Sequence, residues 1–214
     1  EPLGDVPRCL TPEVDDAVRA ARVAQDDWAH RTVAERSEIF LRFHDLILER
    51  QEEILDIVQL ETAKARKHAF EEVADAAIVA RYYATHGEDH LSPKHRRGAL
   101  PGLTSAWEHR QPKGVVGLIA PWNYPLSLSV SDAIPALVAG NAVVVKPDRQ
   151  TPFTALWAFA LLEEAGLPAG LVQVVTGEGR ELGPALVEGC DYLSFTGSTA
   201  TGRKIGSLCG DRLI

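Results

Sequence analysis

The residues best suited to chemistry fall in short clusters, each directly after an apolar run in the second half of the chain. Pro121-Trp122-Asn123-Tyr124-Pro125 holds one amide and two aromatic rings between prolines. Proline fixes φ and stiffens such a turn. Asn123 therefore reads in two ways: as an ordinary turn residue, or as an amide donor held toward a developing oxyanion, as acyl-transfer chemistry requires. Lys146-Pro147-Asp148-Arg149-Gln150 places two cations beside a strand end. They are either a solvated charge pair or a recognition element for a nucleotide ribose, where Arg suits a 2'-phosphate and an acidic residue suits a 2'-hydroxyl. Phe195-Thr196-Gly197-Ser198, with Thr201 and Gly202 in the next helix, is either a tight turn or a place where backbone N–H groups meet a pyrophosphate. Gly177 and Gly179 give G-x-G, but residue 182 is Leu rather than the third glycine of the dinucleotide fingerprint. Any dinucleotide must be held in another way.

Other reactive residue types are sparse. Cys9, Cys190 and Cys209 form neither a C-x-x-C pair nor an even-numbered framework, so they read as isolated structural thiols. His86, Glu88, Asp89 and His90 could suggest a metal, but a helix expected to end near Gly87 need not bring both histidines to one face, and no third ligand is evident. No metal is expected.

These clusters need a scaffold, and the charge distribution suggests one. Residues 1–113 carry 21 of the 30 acidic and 16 of the 22 basic side chains. They read as solvated amphipathic helices. The first is capped by Thr11 with Pro12 at its first position and buries Val14, Ala17, Val18, Ala21 and Trp28. Further helices run from Val33 to Gln51, through Ile54, Leu55 and Val58, and through Phe70, Val73, Ala77, Ala80, Tyr83 and Ala84. His90 to Pro101 reads as a connector, and Thr104 to Arg110 as a short strand. From Gly114 the pattern becomes strand, then helix, repeated. The strands are Val115–Ala120, Ala142–Lys146, Leu171–Val175 and Tyr192–Thr196, and the helices run over 126–138, 151–165, 181–187 and beyond Ser198. Thr151-Pro152 repeats the Thr-Pro helix start of Thr11. Near-continuous apolar strands joined by helices predict an α/β fold, a Rossmann-like parallel sheet with helices on both faces, preceded by the helical segment 1–113.

Composition narrows the partners. At 45% hydrophobic and 24% charged residues the chain reads as globular, and a net charge of -8 with no basic stripe argues against nucleic acid. No apolar run approaches the length of a membrane span, and Glu1-Pro2-Leu3-Gly4-Asp5 lacks the features of a signal peptide, so a cytoplasmic protein is expected. With Glu1 first and no Met, the chain reads as processed or partial.

Five ordered motifs resemble the aldehyde dehydrogenase superfamily: G-V-V-G-L-I-A-P-W-N-Y-P (114–125), A-G-N-A-V-V-V-K-P (139–147), Q-T-P (150–152), E-A-G-L-P-A-G (164–170) and F-T-G-S (195–198). Their order and spacing agree along the chain. K-P-D with C-D-Y-L-S-F-T-G-S (190–198) is most similar to bacterial NADP-preferring succinate-semialdehyde dehydrogenases. The resemblance implies oxidation of an aldehyde, with succinate semialdehyde the expected substrate, and an NADP or NAD cofactor. It implies that Asn123 is the oxyanion-hole amide and that Ile119, Ala120, Pro121 and Trp122 line the cofactor. Lys146, with Pro147 and Asp148 beside it, would meet the adenosine ribose, and Gly179, Phe195, Gly197, Ser198 and Thr201 would surround the adenine and pyrophosphate. Many NAD-using members carry Glu three residues after this lysine. Arg149 stands there instead, leaving no carboxylate for a 2'-hydroxyl and favouring NADP. Asp148 would oppose this if it pointed inward.

The family's E-L-G-G glutamate, its general base, and its nucleophilic cysteine would both follow Ile214, so the resemblance places the catalytic domain outside these residues. The chain would carry the cofactor platform and the oxyanion donor, in an enzyme expected to be a homo-oligomer. A truncated, non-catalytic nucleotide-binding or subunit-interaction module is the alternative.

Overall fold

The computed structural model describes residues 3–100 and 102–214. Glu1, Pro2 and Pro101, the last residue of the expected connector, lie outside them. Helices α1 (Thr11–His30), α2 (Val33–Glu49), α3 (Gln51–Thr62) and α4 (Arg66–Leu91) come first, followed by a hairpin of β1 (Lys94–Arg97) and β2 (Ser105–Glu108). The second half alternates: β3 (Val115–Ile119), a π-helical turn (Ser127–Ser131) running into α5 (Asp132–Val138), β4 (Ala142–Lys146), α6 (Pro152–Glu164), β5 (Val172–Val174), α7 (Gly179–Gly189), β6 (Tyr192–Phe195) and α8 (Thr199–Arg212).

The four later strands form one parallel sheet in the order β5-β4-β3-β6. All five residues of β3 and all five of β4 are buried. Because successive strand side chains point to opposite faces, such burial means that both faces are covered. α1 and α7 pack together against the sheet, and α5 and α6 pack on it with α2 beyond them. The buried apolar residues of the N-terminal helices and of the sheet form one continuous cluster, from Val14 and Trp28 through Val143 and Leu162 to Leu186.

Polar groups pin the helices to the amino end of the sheet. Arg36 Nε donates to the Val138 carbonyl at 2.9 Å, satisfying a group left open at the end of α5, and Trp28 Nε1 donates at 2.8 Å to the Leu137 carbonyl, which also accepts from the Gly140 amide. The Asn141 side-chain oxygen Oδ1 accepts from the Lys113 and Gly114 amides at 2.6 and 3.0 Å. Asp191 accepts from the Val115 amide at 2.8 Å and from both terminal nitrogens of Arg22.

Several helix ends differ from the sequence expectations. α4 continues through Gly87 to Leu91, and Gly87 is buried so close to Val138 that a Cβ there would lie 2.8 Å from its side chain. It permits a close helix approach rather than ending the helix. His86 and His90 consequently share a partner on one face. The Tyr82 ring stacks on His86 with centroids 4.7 Å apart, and the Tyr82 hydroxyl lies 3.1 Å from His90 Nε2. The expected connector contains β1, which pairs antiparallel with β2 in the register Lys94 to Glu108.

The two Thr-Pro starts are also built differently. Thr11 is the first helical residue and Leu10 precedes it as the cap, its amide donating to Glu13. Thr151 does occupy the cap position of α6, but its buried hydroxyl has no partner among the described residues. Glu61 of α3 caps that helix from a distance, accepting from the Phe153 and Thr154 amides at 2.7 and 2.8 Å. A carboxylate on another element meets those open amides better than the hydroxyl of Thr151 does.

Candidate functional site

Open parallel sheets bind ligands beyond the carboxyl ends of their strands, where neighbouring strands lead off in opposite directions. In this sheet that switch lies at β3, with β4 on one side and β6 on the other. The register aligns Lys146, Ile119 and Phe195 in a single row across these three strand ends. Each strand then turns away, so the row is the floor of a cleft. The cleft holds about 300 Å3 and is lined by Ile119, Ala120, Pro121, Trp122, Lys146, Asp148, Arg149, Gly179, Phe195, Gly197, Ser198 and Thr201. A hollow of about 320 Å3 beside Arg31, Glu38, Arg42 and Gly166 is comparable in size, but it opens among helix ends.

Two of the expected residues do not line the cleft. Pro147 is buried beneath it, and its carbonyl accepts from the Lys146 ammonium at 2.9 Å. Asn123 is exposed on the loop just beyond Trp122, and among the described residues its side chain makes no hydrogen bond. The loop carrying it is firmly anchored. Glu72, fully buried on α4, accepts from the Leu126 and Ser127 amides at 2.9 and 3.2 Å and pairs with Lys64. The Lys64 ammonium lies 4.0 Å from the centroid of the Tyr124 ring. Asn123 thus rides on a turn whose end is fixed by a buried ion pair and a cation–π contact.

Lys146, at the end of β4, is only 5% exposed. That burial pulls its ammonium below the ordinary lysine range, while the charges of Asp148 and Glu178 push the other way and Arg149 adds to the depression. The Asp148 side chain accepts from the Gln150 amide at 3.0 Å, so one carboxylate oxygen is engaged in its own turn. Arg149 is largely exposed, and its Nη1 donates to Glu178 Oε1 at 3.0 Å.

Glycines shape the walls. A Cβ on Gly197 would meet the Phe195 ring at 2.7 Å, and one on Gly202 would meet it at 3.2 Å. The ring packs beneath the start of α8, where Ser198 Oγ accepts from the Thr201 amide at 3.3 Å as an N-cap. On Gly179 a Cβ would reach the Lys146 side chain at 3.8 Å. The N-termini of α7 and α8 therefore both open at the cleft, each presenting unpaired amides of partial positive charge. The arrangement fits an anionic dinucleotide: amides at two helix starts, one buried and one exposed cation, and exposed apolar surface on Trp122.

The loop after β5 supplies what the motif reading omitted. That residue is Glu178, which lines the cleft together with Gln150, Gly177 and Thr196 of the motifs already named. Glu178 brings a carboxylate to the cleft from 29 residues further along the chain than Arg149. Its position directly before a helix, after a strand end, was the only available signal. That loop is braced by the N-terminal segment, where the Cys9 amide donates to the Thr176 carbonyl at 2.7 Å and the Thr176 hydroxyl bonds Pro7. Cys190 lies at the opposite end, where burial pushes its thiol up to about 12. Among the described residues no group of His, Cys, Asp and Glu side chains could hold a metal ion. No described helix is long and apolar enough to cross a membrane.

A Mycolicibacterium smegmatis protein provisionally named an NADP(+) succinate-semialdehyde dehydrogenase is 53% identical over 212 residues, 99% of this chain and 41% of the relative. The fold matches the crystal structure of an E. coli NADP-dependent enzyme with a TM-score of 0.94 at 34% identity, covering 100% of this chain and 44% of that one. It matches an NAD-dependent benzaldehyde dehydrogenase from Corynebacterium glutamicum with a TM-score of 0.90 at 37% identity, covering 98% and 46%. The chain thus spans less than half the length of these relatives. The model of the aldehyde dehydrogenase family matches residues 1–214, and the chain belongs to that family.

Proposed function

We propose that this chain forms the cofactor-binding part of an NADP-preferring aldehyde dehydrogenase that oxidises succinate semialdehyde to its carboxylate. The observation that carries the reading is the row of Lys146, Ile119 and Phe195 at the switch point, with Arg149 at the rim. The cofactor's contribution, when bound, is to accept a hydride. Lys146 would meet the adenosine ribose with Pro147 and Asp148 fixing its turn, and Arg149 would face a 2'-phosphate. Ile119, Ala120, Pro121 and Trp122 would line one wall. Gly179, Phe195, Gly197, Ser198 and Thr201 would flank the adenine and pyrophosphate, their helix-start amides taking up negative charge.

Asn123 would donate its amide to the oxyanion formed when a thiolate attacks the aldehyde carbon. The nucleophile and the base that hydrolyses the thioester would come from the part of such enzymes that this chain does not span. In this organisation residues 1–113 frame the helical side and 114–214 the platform, in a cytoplasmic homo-oligomer. The M. smegmatis relative's name supports the substrate and cofactor assignment.

Calorimetric titration of the 214-residue chain with NADP and NAD tests the platform, with tighter binding of NADP expected. Failure to bind either dinucleotide would overturn it. In the complete protein, NADP reduction dependent on succinate semialdehyde tests the substrate, and a marked preference for another aldehyde would replace it.

A further inference from the structure

Among the groups lining the cleft, Glu178 turns its side chain to another lining residue rather than to its own helix. It is the cap residue of α7, yet its carboxylate makes no capping bond, and only its backbone carbonyl serves the helix, accepting from the Glu181 and Leu182 amides at 3.0 Å each. The carboxylate is turned instead to Arg149, at 3.0 Å. Both side chains remain open to solvent, 65% for Arg149 and 34% for Glu178, so the pair stands at the rim rather than within the core. It reaches from the loop after β4 to the loop after β5, next to the buried Lys146.

This arrangement changes what Arg149 can offer. A guanidinium already paired with a carboxylate must share or exchange its partner when a phosphate arrives, and the carboxylate stays close enough to repel the new anion. A ribose bearing a 2'-hydroxyl meets the opposite situation, because the carboxylate can accept its hydrogen bond. We propose that Glu178 is a specificity-determining residue that offsets Arg149, so that the cleft takes 2'-hydroxyl adenine nucleotides as well as 2'-phosphorylated ones. The inference rests on the reading that this cleft holds the adenosine half of the cofactor.

The test uses 2',5'-ADP and 5'-AMP, which differ at the 2'-position alone, titrated calorimetrically into the 214-residue chain. E178Q keeps the size of the side chain and removes its charge. It is expected to tighten 2',5'-ADP about threefold to tenfold and to weaken 5'-AMP, so the ratio of the two affinities rises. The gain should shrink at high salt, and it should shrink without vanishing when R149Q is added, since only part of the effect of Glu178 runs through that guanidinium. An affinity ratio unchanged within about twofold, with both nucleotides still binding, would overturn the role of Glu178 and leave the cleft assignment standing. If the unsubstituted chain bound neither nucleotide, the cleft assignment itself would fail. Equal melting temperatures for E178Q and the parent chain are expected, because the pair is exposed.

Discussion

The two ends of the parallel sheet are built from the same strands but treated oppositely. At the amino end the polar groups have partners within the protein: Asn141 holds the Lys113 and Gly114 amides, Asp191 holds Val115 and Arg22, and Trp28 and Arg36 satisfy the end of α5. At the carboxyl end, Asn123 is exposed without a hydrogen bond among the described residues, Trp122 is 53% exposed, and two helix starts point into open space. Satisfied polar groups hold a fold together, whereas donors left open in a concave site have a use only when something else supplies the acceptor. The contrast sets a closed end, whose polar groups satisfy one another, against an open end, where the cofactor is proposed to bind.

The largest effect should come from a buried anchor at the carboxyl end, built like those of the amino end. Glu72→Ala removes a buried carboxylate and leaves the Lys64 ammonium and two amides without their partner, so a loss of about 3–5 kcal/mol in denaturant unfolding is expected. A loss below about 1 kcal/mol would show that the turn does not depend on this anchor. Asn123→Ala should do the reverse, leaving stability unchanged while lowering turnover of the complete enzyme by roughly 10²- to 10³-fold. If turnover held with chemistry rate-limiting, Asn123 would lose its oxyanion role.

Smaller changes sharpen the comparison. Arg149→Glu should move the ratio of NADP to NAD affinity toward NAD by about tenfold, read by calorimetry, with no change in melting temperature. At the closed end, the Cys190 thiol stays protonated in the fold up to about 12, while in the unfolded chain it ionises near 9. The folded state binds the extra proton in that window, so Cys190 supports stability fully below pH 9 and the contribution is lost as pH rises toward 12. Cys190→Ala should therefore show a shallower decline in unfolding free energy over that range. Parallel declines would mean that the thiol does not titrate there.

The sequence made the four strands legible because each is a short apolar run bounded by Gly, Pro, Asn or Asp, and residues 142–146 were placed at their observed limits. The residues on the strand ends followed from the same pattern. The ends of the helices did not. Gly87 reads as a terminator by type, but it serves the approach of α4 to Val138, which depends on the packing of two helices. Thr151 reads as a cap, but Glu61 from α3 supplies that cap. β1 was hidden in a basic connector because its four residues are all exposed and carry no apolar alternation.

By itself the sequence determined the alternation of strand and helix, the family and the residues on the first turn after each strand, because local patterning and motif spacing depend on neighbours along the chain. Only the tertiary structure decided that Lys146, Ile119 and Phe195 share one row, that Glu72 anchors the turn of Asn123 and that Glu178 confronts Arg149. These pairings join residues far apart in sequence. Strand register and helix packing bring them together, and no local spacing encodes either.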